Sequence, residues 1–100
     1  MIVREKLTVP LQDSFVKVVV DIEREILSAA CEYHVDCMEE LAEDGSKGEN
    51  LWGANVNFTD KSIVFVSLIN IRPALGNRSM EIKLPEIRGK VEQVIRELLF

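Results

Sequence analysis

An α+β fold is predicted: an antiparallel sheet of about four strands with a short helix and a C-terminal helix, in two layers around one core. Three observations predict it. The run Phe15-Val16-Lys17-Val18-Val19-Val20-Asp21-Ile22 is dense in β-branched side chains, which suit a pleated strand. Residues 51–58 and 63–71 alternate in polarity around the polar loop Thr59-Asp60-Lys61-Ser62, the pattern of a hairpin. Ile87, Val91, Val94, Ile95 and Leu98 then recur at helical spacing behind Pro85, which suits a first helical position.

Taken in chain order, residues 2–7 read as a short strand. Pro10 and the Gln12-Asp13-Ser14 cluster mark a connection. In the strand that follows, Val16, Val18, Val20 and Ile22 share one face. Residues 23–35 fit two patterns. As a helix, Ile22, Ile26, Ala29, Ala30, Tyr33 and Cys37 follow a 3.6-residue period; as a strand, Leu27, Ala29, Cys31, Tyr33 and Val35 alternate with Ser28, Ala30, Glu32, His34 and Asp36. Glu23-Arg24-Glu25 lacks the Asn-Gly signal of a tight hairpin turn, yet a helix would leave no residues to connect it to the strand ending at Asp21. The strand is preferred. Asp36, with Glu39 three residues on, has capping-box spacing for a helix over 37–44. Met38, Leu41 and Ala42 would face inward, and Gly45 would close the helix. Residues 46–50 are loop.

In the 51–71 hairpin, pairing Phe58 with Ile63 sets Val56 against Phe65, Ala54 against Ser67 and Trp52 against Ile69 on the core face. The other face pairs Asn57 with Val64, Asn55 with Val66, Gly53 with Leu68 and Leu51 with Asn70. That face is half apolar, so a helix or a second copy of the chain is expected to cover it. Gly89 inside the last helix signals either close packing or tolerance.

The chain of 100 residues reads as one domain, 1–100. Seventeen acidic against twelve basic residues give a net charge of -5, which argues against nucleic acid as the partner, because phosphate backbones are bound by basic faces. No apolar run reaches membrane-spanning length, and the start carries no apolar leader. A cytoplasmic location with reduced Cys31 and Cys37 is therefore expected.

The segments Asp44-Gly45-Ser46-Lys47, Asn50-Leu51-Trp52-Gly53, Ile69-Asn70-Ile71-Arg72-Pro73 and Gly76-Asn77-Arg78-Ser79 resemble a family of small microbial proteins known as a domain of unknown function. The resemblance covers roughly residues 16–100. It implies no activity, cofactor or partner. It favours the hairpin over 23–35, since relatives carry glycine near that turn where this chain has glutamate. Relatives place a helix before the strand at Val16, and the short Leu7–Ser14 stretch with Pro10 departs from that.

Several residue groups carry candidate chemistry. Asn70, Arg72, Asn77, Arg78 and Ser79 bring guanidinium forks, amides and a hydroxyl to one loop, the donor set that suits a carboxylate or phosphate. The alternative is that the arginines pair with Glu81, Glu86 or the acidic helix, while the asparagines cap turns. Cys31-x-x-His34-x-x-Cys37 offers three zinc-type ligands without a fourth cysteine or second histidine, so no metal is assigned. A Cys–His nucleophile would have to use His34. The acidic run Asp36, Glu39, Glu40, Glu43 and Asp44 reads as a solvated face, and no cofactor motif is present. The function expected from the half-apolar face is a small non-enzymatic interaction protein, homodimeric. The alternative is a ligand-binding domain or enzyme holding an anionic small molecule at the Asn70–Ser79 loop.

Overall fold

The computed structural model describes residues 1–8, 11 and 13–100. Pro10 and Gln12, read as part of a connection, lie outside the described residues. Five strands build one antiparallel sheet: β1 (Ile2–Val3), β2 (Phe15–Asp21), β3 (Ile26–Ala29), β4 (Leu51–Asn57) and β5 (Ser62–Val64), in the order β1-β3-β2-β4-β5. Two helices complete the fold, α1 (His34–Glu43) and α2 (Pro85–Leu99). The fold is α+β as expected, with five strands instead of about four. The first strand is only two residues long, where 2–7 was expected.

The alternation of β2 decides the layers. Val16, Val18 and Val20 point to one face, where they meet Trp52, Ala54 and Val56 of β4 and the α2 stripe Val91, Val94, Ile95 and Leu98. Val19 points to the other face and packs with Ile26, Leu51, Cys37 and Leu41. α2 thus covers one face and α1 part of the other, so the expected two layers gain a partial third. Each fully buried Val, Leu or Ile contributes about 1.5–3 kcal/mol over an exposed one. Removing either helix would therefore expose several such side chains at once.

The hairpin preferred over 23–35 forms between β2 and β3, and its strand is Ile26–Ala29 alone. The turn needs no Asn-Gly because the carboxylate of Asp21 does that work. Its Oδ1 accepts from the N–H groups of Glu23 at 2.9 Å and Arg24 at 3.0 Å, and Glu25 takes a left-handed φ of 56°. The chain then turns through Ala30, at φ 64°, into α1.

That helix starts three residues earlier than the expected 37. Tyr33 is its N-cap, and Asp36 is not the cap but the third helical residue, whose carboxylate reaches back to the Tyr33 N–H at 3.3 Å. The earlier start changes the inward face: Cys37 and Leu41 are buried and Met38 packs beside them, whereas Ala42 is exposed. Gly45 closes the helix as expected, at φ 106°, with Gly45 N–H on the Ala42 carbonyl and Ser46 N–H on that of Leu41.

Two corrections concern the 51–71 hairpin. Its register is shifted by two residues: Val56 pairs with Ile63 and Asn55 with Val64. The Asn57 side chain accepts from Thr59 N–H and the Asp60 side chain from Ser62 N–H, which tightens the loop and releases Phe58 to stack edge-on against Phe100 at 5.7 Å. An even shift leaves the side chains of the paired strands on their expected faces, but Ser67 and Ile69, expected on the core face, lie on the α1 side instead. The second correction is that the strand does not run to Ile71. It ends at Val64, and Leu68–Asn70 form a single 3-10 turn. Side-chain chemistry at Gly53 explains why. The Asn70 carboxamide accepts from Gly53 N–H at 2.8 Å and donates to the Gly53 carbonyl at 2.9 Å, taking the place of a strand residue. Only glycine permits this approach, because a Cβ at 53 would lie 2.6 Å from the Ser67 Cβ.

α2 follows the expected stripe, with Pro85 in its first turn and Leu99 added to the buried set, while Ile87 is half-buried. Gly89 is exposed, with open space around it. No helix among the described residues is long and apolar enough to cross a membrane.

Candidate binding groove

α1 does not cover the whole of its face. Beyond Val19, the strands present Phe15 and Lys17 on β2 and Asn55 on β4, and here a groove of about 510 Å³ opens. Lys17 and Asn55 are register partners across β2 and β4 and form its floor. Tyr33, His34 and Val35, at the start of α1, line it together with the 66–69 segment and Met80. Its rim is unusually apolar for exposed surface: Leu68 is 72% exposed, Tyr33 60% and Phe15 54%.

The polar groups in the groove are few. His34 Nε2 lies 2.8 Å from the Ala54 carbonyl, which fixes the ring with its Nε2 proton facing the sheet. Burial lowers the His34 pKa below the ordinary 6.5, the bond to Ala54 works against this, and the nearby Lys17 ammonium lowers it further. The imidazole is therefore neutral at physiological pH. Asn55 Nδ2 donates to the Val66 carbonyl at 3.1 Å. Lys17 forms no ion pair among the described residues.

The residues singled out for anion binding sit elsewhere. Asn70 and Asn77 are fully buried. Besides Gly53, Asn70 Nδ2 donates to the Met80 carbonyl at 3.0 Å. Asn77 Nδ2 donates to the carbonyls of Asn70, Ser79 and Glu81, and its Oδ1 accepts from Lys83 N–H at 2.8 Å. Both amides are committed to backbone groups. Ser79 Oγ accepts from Glu81 N–H at 3.1 Å.

Arg72 is half-buried, with its guanidinium 5.2 Å from the Trp52 ring centroid, Nε on the Ile69 carbonyl and Nη1 on the Gly48 carbonyl. Its Nη2 is buried without a hydrogen-bond partner, and desolvation lowers its pKa. Arg78 is exposed. Neither arginine forms an ion pair among the described residues, and neither lines the groove or two smaller concavities.

The cysteines require a correction. They are not free thiols: Cys31 and Cys37 form a disulfide. The turn at Ala30 brings the end of β3 onto the first turn of α1, so their Cα atoms lie 5.8 Å apart, within bridging reach. Both sulfurs are consumed and His34 is held by Ala54, so the three do not present a ligand set or a Cys–His pair. No group of three metal-type ligands gathers among the described residues. The acidic run is partly engaged. Asp44 pairs with Arg4 at 2.6 Å and Arg24 at 2.8 Å, and Glu40 accepts from Ser28 Oγ at 2.6 Å.

Comparison with known proteins adds one match, a family whose pattern covers residues 3–98. The chain belongs to the family Protein of unknown function (DUF5674). No curated protein and no solved structure matches it. DUF5674 membership therefore supports the resemblance read from the sequence and brings no activity with it.

The sequence signalled part of the groove, since Asn55, Val66 and Leu68 belonged to the half-apolar hairpin face. It missed Lys17, Tyr33, Val35 and Met80. Lys17 reaches this place through the β2–β4 pairing that sets it beside Asn55, and Tyr33 and Val35 through the early start of α1, neither of which periodicity encodes.

Proposed function

We propose that this chain is a small non-enzymatic binding protein whose working surface is the open part of the α1 face, and that two copies associate through it as a homodimer. The observation that carries this reading is the exposed apolar rim of Phe15, Tyr33, Val35, Val64, Leu68 and Met80. Small soluble domains rarely leave such side chains contiguous unless a partner covers them. The disulfide and the committed His34 leave no thiolate–imidazole pair for the Cys–His nucleophile considered from the sequence. A cytoplasmic location belongs to the same proposal. The Cys31–Cys37 bond stands against it, since such bonds persist in oxidising compartments. Thiol trapping in intact cells decides between them: alkylated thiols favour the cytoplasm, protected ones an oxidising compartment.

The association is tested by multi-angle light scattering over a range of concentrations. The expected mass is twice that of the chain, and Leu68→Glu, at a position needing no internal contact, returns it to one. A single-chain mass for the wild type at high concentration refutes the homodimer. A second reading, an anion held at the Asn70–Ser79 loop, draws on one observation: Arg72 carries a partly desolvated guanidinium with no carboxylate partner among the described residues. A phosphate- or carboxylate-induced rise in melting temperature, lost in Arg72→Ala/Arg78→Ala, is its test.

A further inference from the structure

The groove has the size of a small-ligand site, since such sites run from about 300 to 1,000 Å³ and combine apolar walls with few polar groups. Its charge pattern is more specific. The chain carries a net charge of -5, yet no Asp or Glu lines the groove. Among the described residues the one charged side chain there is Lys17, on the floor, with Phe15, Val66, Leu68 and Met80 also lining the groove. Lys17 also borders a smaller concavity with Asp13 and Glu32, but forms an ion pair with neither. His34 is turned to the Ala54 carbonyl, its pKa lowered by burial, and offers no competing charge. A ligand entering this space meets a hydrophobic trough with one unpaired ammonium at its base.

We propose that the groove binds an amphipathic monocarboxylate, a molecule with an aliphatic or aryl body and a single anionic head, its body between Tyr33 and Leu68 and its head on the Lys17 ammonium. A cationic head would find no counter-charge, and a strongly polar ligand would leave the Leu68 and Met80 wall uncompensated. The ammonium–carboxylate contact lies partly out of water, where ion pairs and charge-assisted hydrogen bonds gain strength over exposed ones. The groove is open at the rim, so body length is loosely selected and head charge strictly.

This inference rests on reading the α1 face as the binding surface, but not on dimerisation, and the experiment separates the two. Octanoate, octylamine and 1-octanol, equal in chain length and different in head charge, are titrated into the full chain by calorimetry. Backbone amide signals are followed by NMR. Octanoate is expected to shift the amides of Asn55, Val66 and Leu68 and the His34 ring signals. It should bind at least about tenfold more tightly than octylamine. Lys17→Met, which keeps most of the stem, should lose that preference while leaving 1-octanol affinity within about twofold.

Absence of octanoate binding overturns the proposal, as does octylamine binding equally well. Octanoate affinity unchanged in Lys17→Met, or shifts lying outside the groove, overturns it too. A single-chain mass together with selective octanoate binding removes the homodimer and leaves this site standing. A dimer that binds no octanoate does the reverse.

Discussion

Replacing Asn70 by alanine should cost this domain a large part of its stability. The carboxamide makes three hydrogen bonds: from Gly53 N–H at 2.8 Å, to the Gly53 carbonyl at 2.9 Å and to the Met80 carbonyl at 3.0 Å. Alanine removes all three and leaves one buried donor and one buried acceptor, both of Gly53, unmatched, while the Met80 carbonyl still accepts from Ser67 N–H at 3.0 Å. Each buried group left without a partner costs about 1–3 kcal/mol, the donor at the upper end because it has no second site of interaction. The total is roughly 3–4 kcal/mol after some relaxation, out of the 5–15 kcal/mol typical of a whole domain.

The assay is equilibrium unfolding in urea, followed by fluorescence of Trp52, the only tryptophan. The midpoint should fall without a change in slope, and the melting temperature should drop by roughly 15 °C or more. Asn70→Asp should not rescue the fold, because a carboxylate would face the Gly53 and Met80 carbonyls. A loss below about 1 kcal/mol would refute the argument that Asn70 stands in for a strand residue. The same variant bears on the loop: if Asn70 is architectural, its loss lowers stability without a selective effect on anion binding.

Other consequences follow from the same packing. Gly53→Ala forces its Cβ against Ser67 and should destabilise by at least about 2 kcal/mol, with partial recovery in Gly53→Ala/Ser67→Gly measured by the same urea titration. Reducing the Cys31–Cys37 bond should cost about 2 kcal/mol from the short loop it closes; an unfolding curve that ignores reductant, together with two titratable thiols before reduction, would contradict the bond. His34 is held below its ordinary pKa, so the native state binds fewer protons than the unfolded chain. Its share of stability is complete above pH 6.5 and is lost as pH falls from there toward the lowered folded value. His34→Gln should flatten stability across that window and leave intact the more acidic decline. In that lower window Glu40, held below 4.5 by the Ser28 hydroxyl and the Met1 ammonium, becomes protonated. Glu25→Gly relieves a left-handed φ of 56° and should add roughly 0.5–1 kcal/mol in thermal melts. Gly89→Ala, in open space on α2, should add a similar amount.

Much of this architecture can be read from periodicity, because periodicity reports which side chains need burial. The β-branched run at 15–22 favoured a strand, and Phe15–Asp21 form one. The stripe from Val91 to Leu98 could only be a buried helix face, and the alternation of 51–58 assigned Trp52, Ala54 and Val56 to the core. Even the misplaced hairpin register kept the paired residues on their true faces, since a two-residue shift preserves parity, and only past the end of β5 do Ser67 and Ile69 depart from the expected core face. The sequence also marked Asn70 and Asn77 as unusual, and here its two readings, turn caps or anion ligands, differed only in what the amides would touch.

Tertiary structure alone decided the rest, because the deciding interactions are side chain to backbone between distant residues. Asn70 can replace a strand only where Gly53 lets it approach, seventeen positions away. Asp21 makes the first hairpin turn without the residues that usually signal one. The early start of α1 closes the Cys31–Cys37 bond and swings Tyr33 and Val35 over Lys17. The groove exists because β5 stops short and α1 covers only part of its face. Apolar patterning determines that a face must be buried, but the lengths of the elements above it determine how much remains open to bind something else.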